Sequence, residues 1–125
     1  MQLREIMIKG IGCDIVAVDR IADMMKNEKF SDRVFTLGEK KYINAHSVQS
    51  AAGIWASKEA VSKALGSGFL KLRYKDIEIL HNEQGQPYVN LSKVAKSKMQ
   101  KLSAENIQLS ISHERNQALA FVVLE

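Results

Sequence analysis

The sequence predicts an α+β fold in which an antiparallel sheet of hairpins packs on one long central helix. Three observations support this prediction. A stretch of strong helix formers occupies the middle of the chain, and two later segments alternate apolar and polar residues on either side of a turn. With 125 residues, the chain is expected to form one domain spanning 1–125.

Composition and charge narrow the class of protein. Hydrophobic residues make up 46% of the chain and charged residues 26%, as in an ordinary globular protein. No run approaches the roughly 20 apolar residues of a membrane span, so no membrane partner is expected. Cys13 is the only cysteine, which excludes an internal disulfide and favours a cytoplasmic location. The net charge of +4 indicates an acidic partner.

The first predicted strand begins at Ile6–Ile8 and runs toward Val16. Gly10 and Gly12 indicate a bend or close packing of the backbone. Asp14 stands among apolar residues, where a carboxylate needs a partner, a donor or a metal. The alternative is that Asp14 caps the following helix, because apolar residues recur after it at helical spacing.

Two helices are predicted next, over Asp19–Lys26 and Thr36–Ala45. The second begins with the capping-box spacing of Thr36 and Glu39. Basic residues recur through and beyond the first helix, with Met24 and Phe30 between them. This pattern predicts either a solvated basic face or a docking face for an acidic protein.

The central helix is predicted over Ser47–Gly66. Glu59 and Lys63 lie one turn apart on one of its faces, so a carboxylate and an ammonium could together hold a metal ion and a phosphate. An exposed and weak salt bridge is the alternative. The Gly66–Ser67–Gly68 triplet ends the helix, either as a phosphate-wrapping turn or simply as a C-cap.

The remaining elements are a hairpin, a helix and a second hairpin. Asp76–Leu80 and Tyr88–Leu91 form the first hairpin, whose return strand opens at Pro87, and a lysine-rich helix covers Ser92–Ala104. The second hairpin turns at Ser112–Asn116, where His113 faces a cleft or is merely solvated. Its return strand, Gln117–Leu124, is nearly all apolar, which predicts burial on both faces.

Four blocks of residues, in this order, resemble the small holo-[acyl-carrier-protein] synthases, the 4'-phosphopantetheinyl transferases of fatty-acid synthesis. The first block is Gly10–Ile15 followed by Arg20, and the second is Lys58–Ala60 followed by Lys63 and Gly66. The third and weaker block consists of Asn82, Gly85, Pro87 and Tyr88. The fourth is Ser112–His113 before an apolar strand. The resemblance covers nearly the whole chain, and the length fits as well.

The resemblance implies an enzyme that moves the phosphopantetheine arm of coenzyme A onto a serine of apo acyl carrier protein, releasing adenosine 3',5'-bisphosphate. It also implies magnesium dependence, the α+β fold of these transferases, and a homotrimer with active sites between subunits. By match to the motifs, Asp14 and Glu59 would bind magnesium and Lys63 would reach the phosphates of coenzyme A. The coenzyme A site would be lined by Gly66, Ser67, Gly68, Pro87, Ser112 and His113, and the carrier protein would dock on Arg20, Met24, Lys29 and Arg33.

One position departs from the pattern of these enzymes. Many relatives carry an arginine where this chain has Ile54, so coenzyme A binding is weaker here or Lys58, Lys71 or Arg73 compensates. Two other functions remain as hypotheses. A carrier-protein-binding module with weak catalysis would explain Ile54, and a nucleic-acid-binding module would explain the lysine-rich helix. Aromatic residues are only 6% and do not interleave with the basic residues, so nucleic acid is not the expected partner.

Overall fold

The structure, a computed structural model, describes residues 7–66 and 68–125. Its helices are α1 (Val18–Met24), α2 (Glu28–Val34), α3 (Leu37–Ala45), α4 (Val48–Ala64) and α5 (Lys93–Lys101), with a 3-10 turn at Tyr74–Asp76. Its strands are β1 (Gly10–Ala17), β2 (Ile77–His81), β3 (Pro87–Leu91), β4 (Ile107–Glu114) and β5 (Gln117–Leu124). The strands form an antiparallel sheet in the order β1-β5-β4 and a separate β2-β3 hairpin, which confirms the predicted α+β class.

Helix α4 lies directly on β1 because the two facing surfaces carry almost no side-chain bulk. A Cβ atom added at Gly12 would lie 1.8 Å from the carbonyl oxygen of Ala60, and one at Gly10 would lie 2.3 Å from that of Ala64. Only glycine permits such an approach of two backbones. The close packing predicted for these glycines is therefore confirmed, and it brings the middle of β1 against the second half of α4.

Strand β1 continues through Asp14 to Ala17. Asp14 lies in the middle of β1 opposite Ala120, and α1 begins at Val18 after an N-cap residue, Ala17, with no side-chain cap. The helix-cap alternative for Asp14 is therefore wrong. Met7 and Ile8 precede the strand rather than belong to it, and Ile6 lies outside the described residues.

The two faces of the three-stranded sheet differ sharply in exposure. Ala118, Ala120 and Val122 of β5 are fully buried under α4. On the opposite face, the alternating positions are open to solvent in a single chain, and Phe121 is 44% exposed. Burial of β5 on both faces was thus a wrong prediction for one chain. Cys13, which lies opposite Phe121 in the β1–β5 register, is exposed as well.

Two other local predictions need correction. Residues 28–34 form a separate helix, α2, because the Asn27 side chain accepts a hydrogen bond from the backbone N–H of Lys29 and caps it. In the last hairpin, β4 continues to Glu114, so Ser112 and His113 belong to a strand and not to the turn. Arg115, with a φ of 50°, takes the left-handed conformation in the tight turn itself.

A buried ion pair joins α3, α4 and the β2-β3 hairpin. The capping box of Thr36 and Glu39 forms as predicted, and the Glu39 carboxylate also accepts a hydrogen bond from the backbone N–H of Ile79, at 2.8 Å. The Lys58 ammonium lies 2.8 Å from Glu39 and donates to the carbonyl oxygens of Tyr74 and Ile77 at 2.9 and 2.7 Å. All three ammonium hydrogens are thereby satisfied.

Burial opposes the charges of this pair, and the pairing offsets that cost. Desolvation raises the pKa of Glu39 and lowers the pKa of Lys58, while each charge counteracts the shift of the other. Both side chains are completely inaccessible to solvent. Within the described ranges, no helix is both long and apolar enough to cross a membrane.

Candidate functional site

Three of the residues singled out in the sequence meet where β1 packs on α4. The Lys63 ammonium donates to the carbonyl oxygen of Cys13 at 2.9 Å and forms an ion pair with Asp14 Oδ1 at 3.0 Å. Asp14 is largely shielded by the helix, whereas the lysine side chain is 51% exposed. The close β1–α4 contact thus places an acid from one element and a base from the other at a common edge.

Glu59 lies half-buried on α4, one turn before Lys63. Its pKa is raised, first by burial and second by the negative charge of Asp14, although Tyr74, Lys63 and Arg20 act in the opposite direction. The negative charge of Asp14 thus acts on Glu59. Repulsion between two carboxylates is the kind of interaction that a bound cation relieves.

Tyr74 supplies a further contact to this region. Its hydroxyl donates to Glu59 Oε1 at 3.3 Å, and its ring stacks on Trp55 with centroids 5.1 Å apart. Phe69 covers the other part of the ring at 4.1 Å. Burial raises the pKa of the Tyr74 hydroxyl, and the Glu59 charge raises it further, so this hydroxyl remains protonated and acts as a donor.

The carboxylates of Asp14 and Glu59 suit magnesium better than a metal ion whose ligands all come from the protein. Among the residues that the structure describes, no group of three or more His, Cys, Asp or Glu side chains could hold a metal ion. Magnesium is commonly bound through one or two carboxylates, with substrate phosphates and water completing the shell. The pair of Asp14 and Glu59, with oxygens only and with coupled charges, matches that requirement.

His113 belongs to a different part of the same subunit. Its imidazole Nε2 lies 3.1 Å from the carbonyl oxygen of Gln49 and packs over Gly53, where an added Cβ would lie 2.9 Å from it. Gly53 and Lys63 are about 15 Å apart along the helix axis, at 1.5 Å rise per residue. Ser112 points to the opposite face of the sheet from His113, because neighbouring side chains of a strand alternate.

The glycine-rich turn and Pro87 occupy two further positions. Gly66 and Gly68 both have positive φ, 90° and 55°, directly after the end of α4, and Ser67 lies outside the described residues. Pro87 opens β3 as predicted and pairs with His81. It lies at the far end of the hairpin from Ile77, about 13 Å along the strand. One subunit thus does not gather all the predicted coenzyme A residues in one place.

Basic residues from α1 and α2 border the carboxylates. The charge of Arg20 partly offsets the raised pKa of Glu59, and the charges of Arg20 and Arg33 partly offset the raised pKa of Tyr74. These positive charges therefore act on the site. Lys29 is exposed and Met24 half-buried on the same two helices. Next to Tyr74, a cavity of about 650 Å³ opens between α2 and the 3-10 turn. Its walls carry three cations, one carboxylate and three apolar or aromatic side chains, namely Arg33, Arg73, Lys75, Asp32, Phe69, Leu72 and Tyr74.

The residue that departs from the expected pattern, Ile54, is only 1% exposed and belongs to the core. Lys58 was one of three lysine or arginine residues expected to compensate for it. That expectation is wrong, because the Lys58 ammonium is enclosed and paired with Glu39. Lys71 and Arg73 are exposed and remain available to an anion.

The fold and this arrangement define a class that sequence comparison also identifies. Residues 10–122 match the family model of the 4'-phosphopantetheinyl transferase superfamily, and the chain belongs to that superfamily. Within it, the chain is 46% identical to the holo-[acyl-carrier-protein] synthase of Clostridium botulinum (strain Eklund 17B / Type B) over 95% of this chain and 98% of the relative. It is 44% identical to that of Alkaliphilus oremlandii, over 91% of this chain and 96% of the relative.

Solved structures agree with this assignment. The crystal structure of Helicobacter pylori holo-[acyl-carrier-protein] synthase in complex with coenzyme A superposes with a TM-score of 0.81 at 36% identity, covering 92% of this chain and 99% of the other. The Neisseria meningitidis enzyme superposes with a TM-score of 0.87 at 32% identity, covering 95% and 99%. The predicted transferase fold is therefore confirmed.

Sequence reasoning missed Tyr74 and the Glu39–Lys58 pair. Tyr74 lies fifteen positions from Glu59, and no periodicity links the two. Glu39 was noticed only as half of a capping box, although its second oxygen also reaches β2. A signal did exist for Lys58, since a helix as rich in Ala, Gly and apolar residues as α4 is expected to be buried on every side.

Proposed function

We propose that this chain transfers the 4'-phosphopantetheine group of coenzyme A to a serine of apo acyl carrier protein, with Asp14, Glu59 and Lys63 as its catalytic residues. The observation that carries the proposal is the meeting of these three side chains at the β1–α4 edge in a member of this transferase superfamily. The products are holo carrier protein and adenosine 3',5'-bisphosphate. The function fits a place in fatty-acid synthesis and a cytoplasmic location.

Asp14 and Glu59 would hold Mg²⁺ together with oxygens of the substrate diphosphate. When bound, the metal would neutralise negative charge on the phosphoryl oxygens and on the leaving group. Asp14 forms an ion pair with Lys63 at 3.0 Å, so this carboxylate already lies beside a positive charge. Magnesium dependence is therefore part of the proposal and follows from the chemistry of two adjacent carboxylates.

Lys63 supplies a mobile positive charge for the same phosphates. Its side chain is half exposed and is held at its end by Asp14 and a backbone carbonyl, so a modest rotation carries the ammonium toward an incoming anion. The turn that follows α4 has Gly66 and Gly68 in the left-handed region, a backbone conformation that suits a loop around a phosphate.

The serine hydroxyl must lose a proton as it attacks the β-phosphorus. Glu59 would accept that proton, directly or through a water molecule. Its raised pKa makes it a stronger base than an ordinary glutamate, and burial is the main cause of that shift. As the serine O–P bond forms, the phosphoanhydride P–O bond breaks and its electron pair leaves with adenosine 3',5'-bisphosphate, while the proton on Glu59 is later released to solvent.

The acidic carrier protein would dock on Arg20, Met24, Lys29 and Arg33 of α1 and α2. The charges of Arg20 and Arg33 act on Glu59 and Tyr74, so a partner bound there would present its serine to the carboxylates. Met24 offers an adaptable apolar contact among these cations. Complementary charge of this kind speeds association and selects the partner.

A homotrimer would bring the separated groups of residues together. The outer face of the β1-β5-β4 sheet exposes Ile11, Ile15, Leu119 and Phe121, a contiguous apolar surface of the kind that soluble monomers avoid. Three copies packed through this face would bury it. Residues of the coenzyme A site that lie apart in one subunit, such as Lys63 and His113, would then meet across an interface.

The test is a mass spectrum of apo carrier protein after incubation with this protein, coenzyme A and Mg²⁺. A mass gain of one phosphopantetheine group on a serine is expected, and Asp14→Asn and Glu59→Gln should each lower turnover by a factor of about a hundred or more. Circular dichroism confirms that the variants fold. Full turnover in both variants would refute the metal and catalytic assignments. Binding of the carrier protein without transfer, and without coenzyme A binding by calorimetry, would instead indicate a carrier-protein-binding module.

A further inference from the structure

Tyr74 contacts two consecutive residues of α4 with its two ends. Its carbonyl oxygen accepts a hydrogen bond from the buried Lys58 ammonium at 2.9 Å, and its hydroxyl donates to Glu59 Oε1 at 3.3 Å. Between these ends, the ring is stacked on Trp55 and covered by Phe69. The position of the hydroxyl is therefore fixed by the core and not by the ligands of the site.

Glu59 needs such an anchor more than Asp14 does. The Asp14 carboxylate is held by Lys63, whose ammonium also binds the carbonyl of Cys13. For Glu59, within residues 7–66 and 68–125, the hydrogen bond to the carboxylate comes from Tyr74. At 3.3 Å this bond is at the long end for an O–H···O contact, so its effect lies in orienting the carboxylate more than in binding energy.

We propose that Tyr74 is a positioning residue for the divalent cation, whose hydroxyl holds Glu59 Oε1 and leaves Oε2 free to bind the ion shared with Asp14. The inference rests on the proposed function, since it assumes that Glu59 is a metal ligand. Groups that orient a metal ligand in this way commonly affect metal affinity by tenfold or more. The aromatic stack and the contact with Lys58 make Tyr74 a rigid link between the core and this ligand.

The substitution Tyr74→Phe tests the inference because it keeps the stacked ring and removes only the hydroxyl. Mn²⁺, used as a spectroscopic substitute for Mg²⁺, is titrated into the full-length protein in the presence of coenzyme A, with coenzyme A alone as the blank, and free Mn²⁺ is followed by electron paramagnetic resonance. The variant should bind Mn²⁺ about tenfold more weakly than the wild type, at the low end of the usual range. In the transfer assay, a higher Mg²⁺ concentration should restore most of kcat.

Tyr88→Phe is the matched control, because Tyr88 lies on β3 with an exposed ring and should leave Mn²⁺ affinity unchanged. A second measurement is the ultraviolet difference spectrum on adding Mg²⁺. A tyrosine signal is expected in the wild type and in Tyr88→Phe, and should be absent from Tyr74→Phe.

Equal Mn²⁺ affinity in Tyr74→Phe and wild type would overturn this inference while leaving the metal site in place. Failure of the wild type itself to bind Mn²⁺ would overturn the metal site, and the inference with it. The thermal midpoint separates an effect on folding from one on the ligand, because Tyr74→Phe should melt within about a degree of the wild type. Weaker Mn²⁺ binding at an unchanged midpoint supports the positioning role.

Discussion

The Lys63 ammonium forms an ion pair with Asp14 rather than with Glu59, although Glu59 lies one turn away on the same helix as Lys63. The simple salt bridge that the helix sequence suggests is thus replaced by a contact between two elements. As a result, Asp14 is charge-balanced, while Glu59 is left half-buried with a raised pKa. A divalent cation bound to both carboxylates would also neutralise the negative charge of Glu59.

His81, at the end of β2, is a second residue whose environment depends on partners distant in sequence. Its ring stacks on Tyr42 at 3.7 Å, and among the described residues its Nδ1 is a buried nitrogen without a hydrogen-bond partner. Burial lowers the pKa of His81 below its ordinary 6.5, and the nearby His46 lowers it further.

This shift predicts a loss of stability in acid. The unfolded chain takes up a proton at the ordinary pKa of 6.5, whereas the folded chain resists protonation until a lower pH. The free energy of unfolding should therefore fall as the pH drops through 6.5 toward the folded-state pKa. Urea unfolding of wild type and His81→Phe at neutral and mildly acidic pH measures the difference. The variant should lose less stability, and an equal loss in both proteins would contradict the assignment.

The Glu39–Lys58 ion pair links three secondary-structure elements, namely the start of α3, the middle of α4 and strand β2. It also fixes the carbonyl of Tyr74, immediately before the site. The half of α4 that carries Glu59 is thus tied to the core by the buried charge of Lys58, which lies one residue before the half-buried Glu59.

Glu39→Gln should destabilise the protein by about 3–5 kcal/mol, because it leaves the Lys58 ammonium buried without a countercharge. Glutamine still suits the capping box with Thr36, so the loss of the cap contributes little. Chemical denaturation gives the magnitude.

The double variant Glu39→Gln with Lys58→Met is the control for the buried charge. It removes both charges and should recover part of the stability lost in the single variant. A cost below about 1 kcal/mol for Glu39→Gln alone would show that the pair is not held as described.

Much of the element pattern could be predicted because its causes are local. The Thr36 capping box, the β2-β3 hairpin and the central helix all follow from spacings within a few residues. The burial of Lys58 and the contact of Tyr74 with Glu59 depend on partners distant in sequence, which no periodicity reveals. Asp14 was recognised as unusual for its apolar neighbours, but its strand position follows from pairing with β5.

At the scale of the whole molecule, the outer face of the β1-β5-β4 sheet leaves several large apolar side chains exposed. Ile11 is 62% exposed and Ile15 is 56% exposed, and both lie on the strand that carries Asp14. A single chain with this surface would be prone to association. The proposed trimer would bury the surface in a closed, symmetric assembly.

Phe121→Arg should convert the proposed trimer to a monomer, because it places a charge at the centre of the apolar face. Light scattering coupled to size exclusion measures the mass. Val94→Arg, on the exposed side of α5, is the control and should leave the assembly intact. A wild type that is monomeric, or a Phe121→Arg variant of unchanged mass, would rule out assembly through this face.

The aromatic stack beside the site has a practical consequence. Trp55 is the sole tryptophan of the chain, is 6% exposed, and contacts both Phe30 of α2 and the ring of Tyr74. Selective excitation of indole therefore reports on a single location, one helical turn from Glu59. Each step of ligand loading near Tyr74 can be followed by the emission of the unmodified protein, with no dye attached.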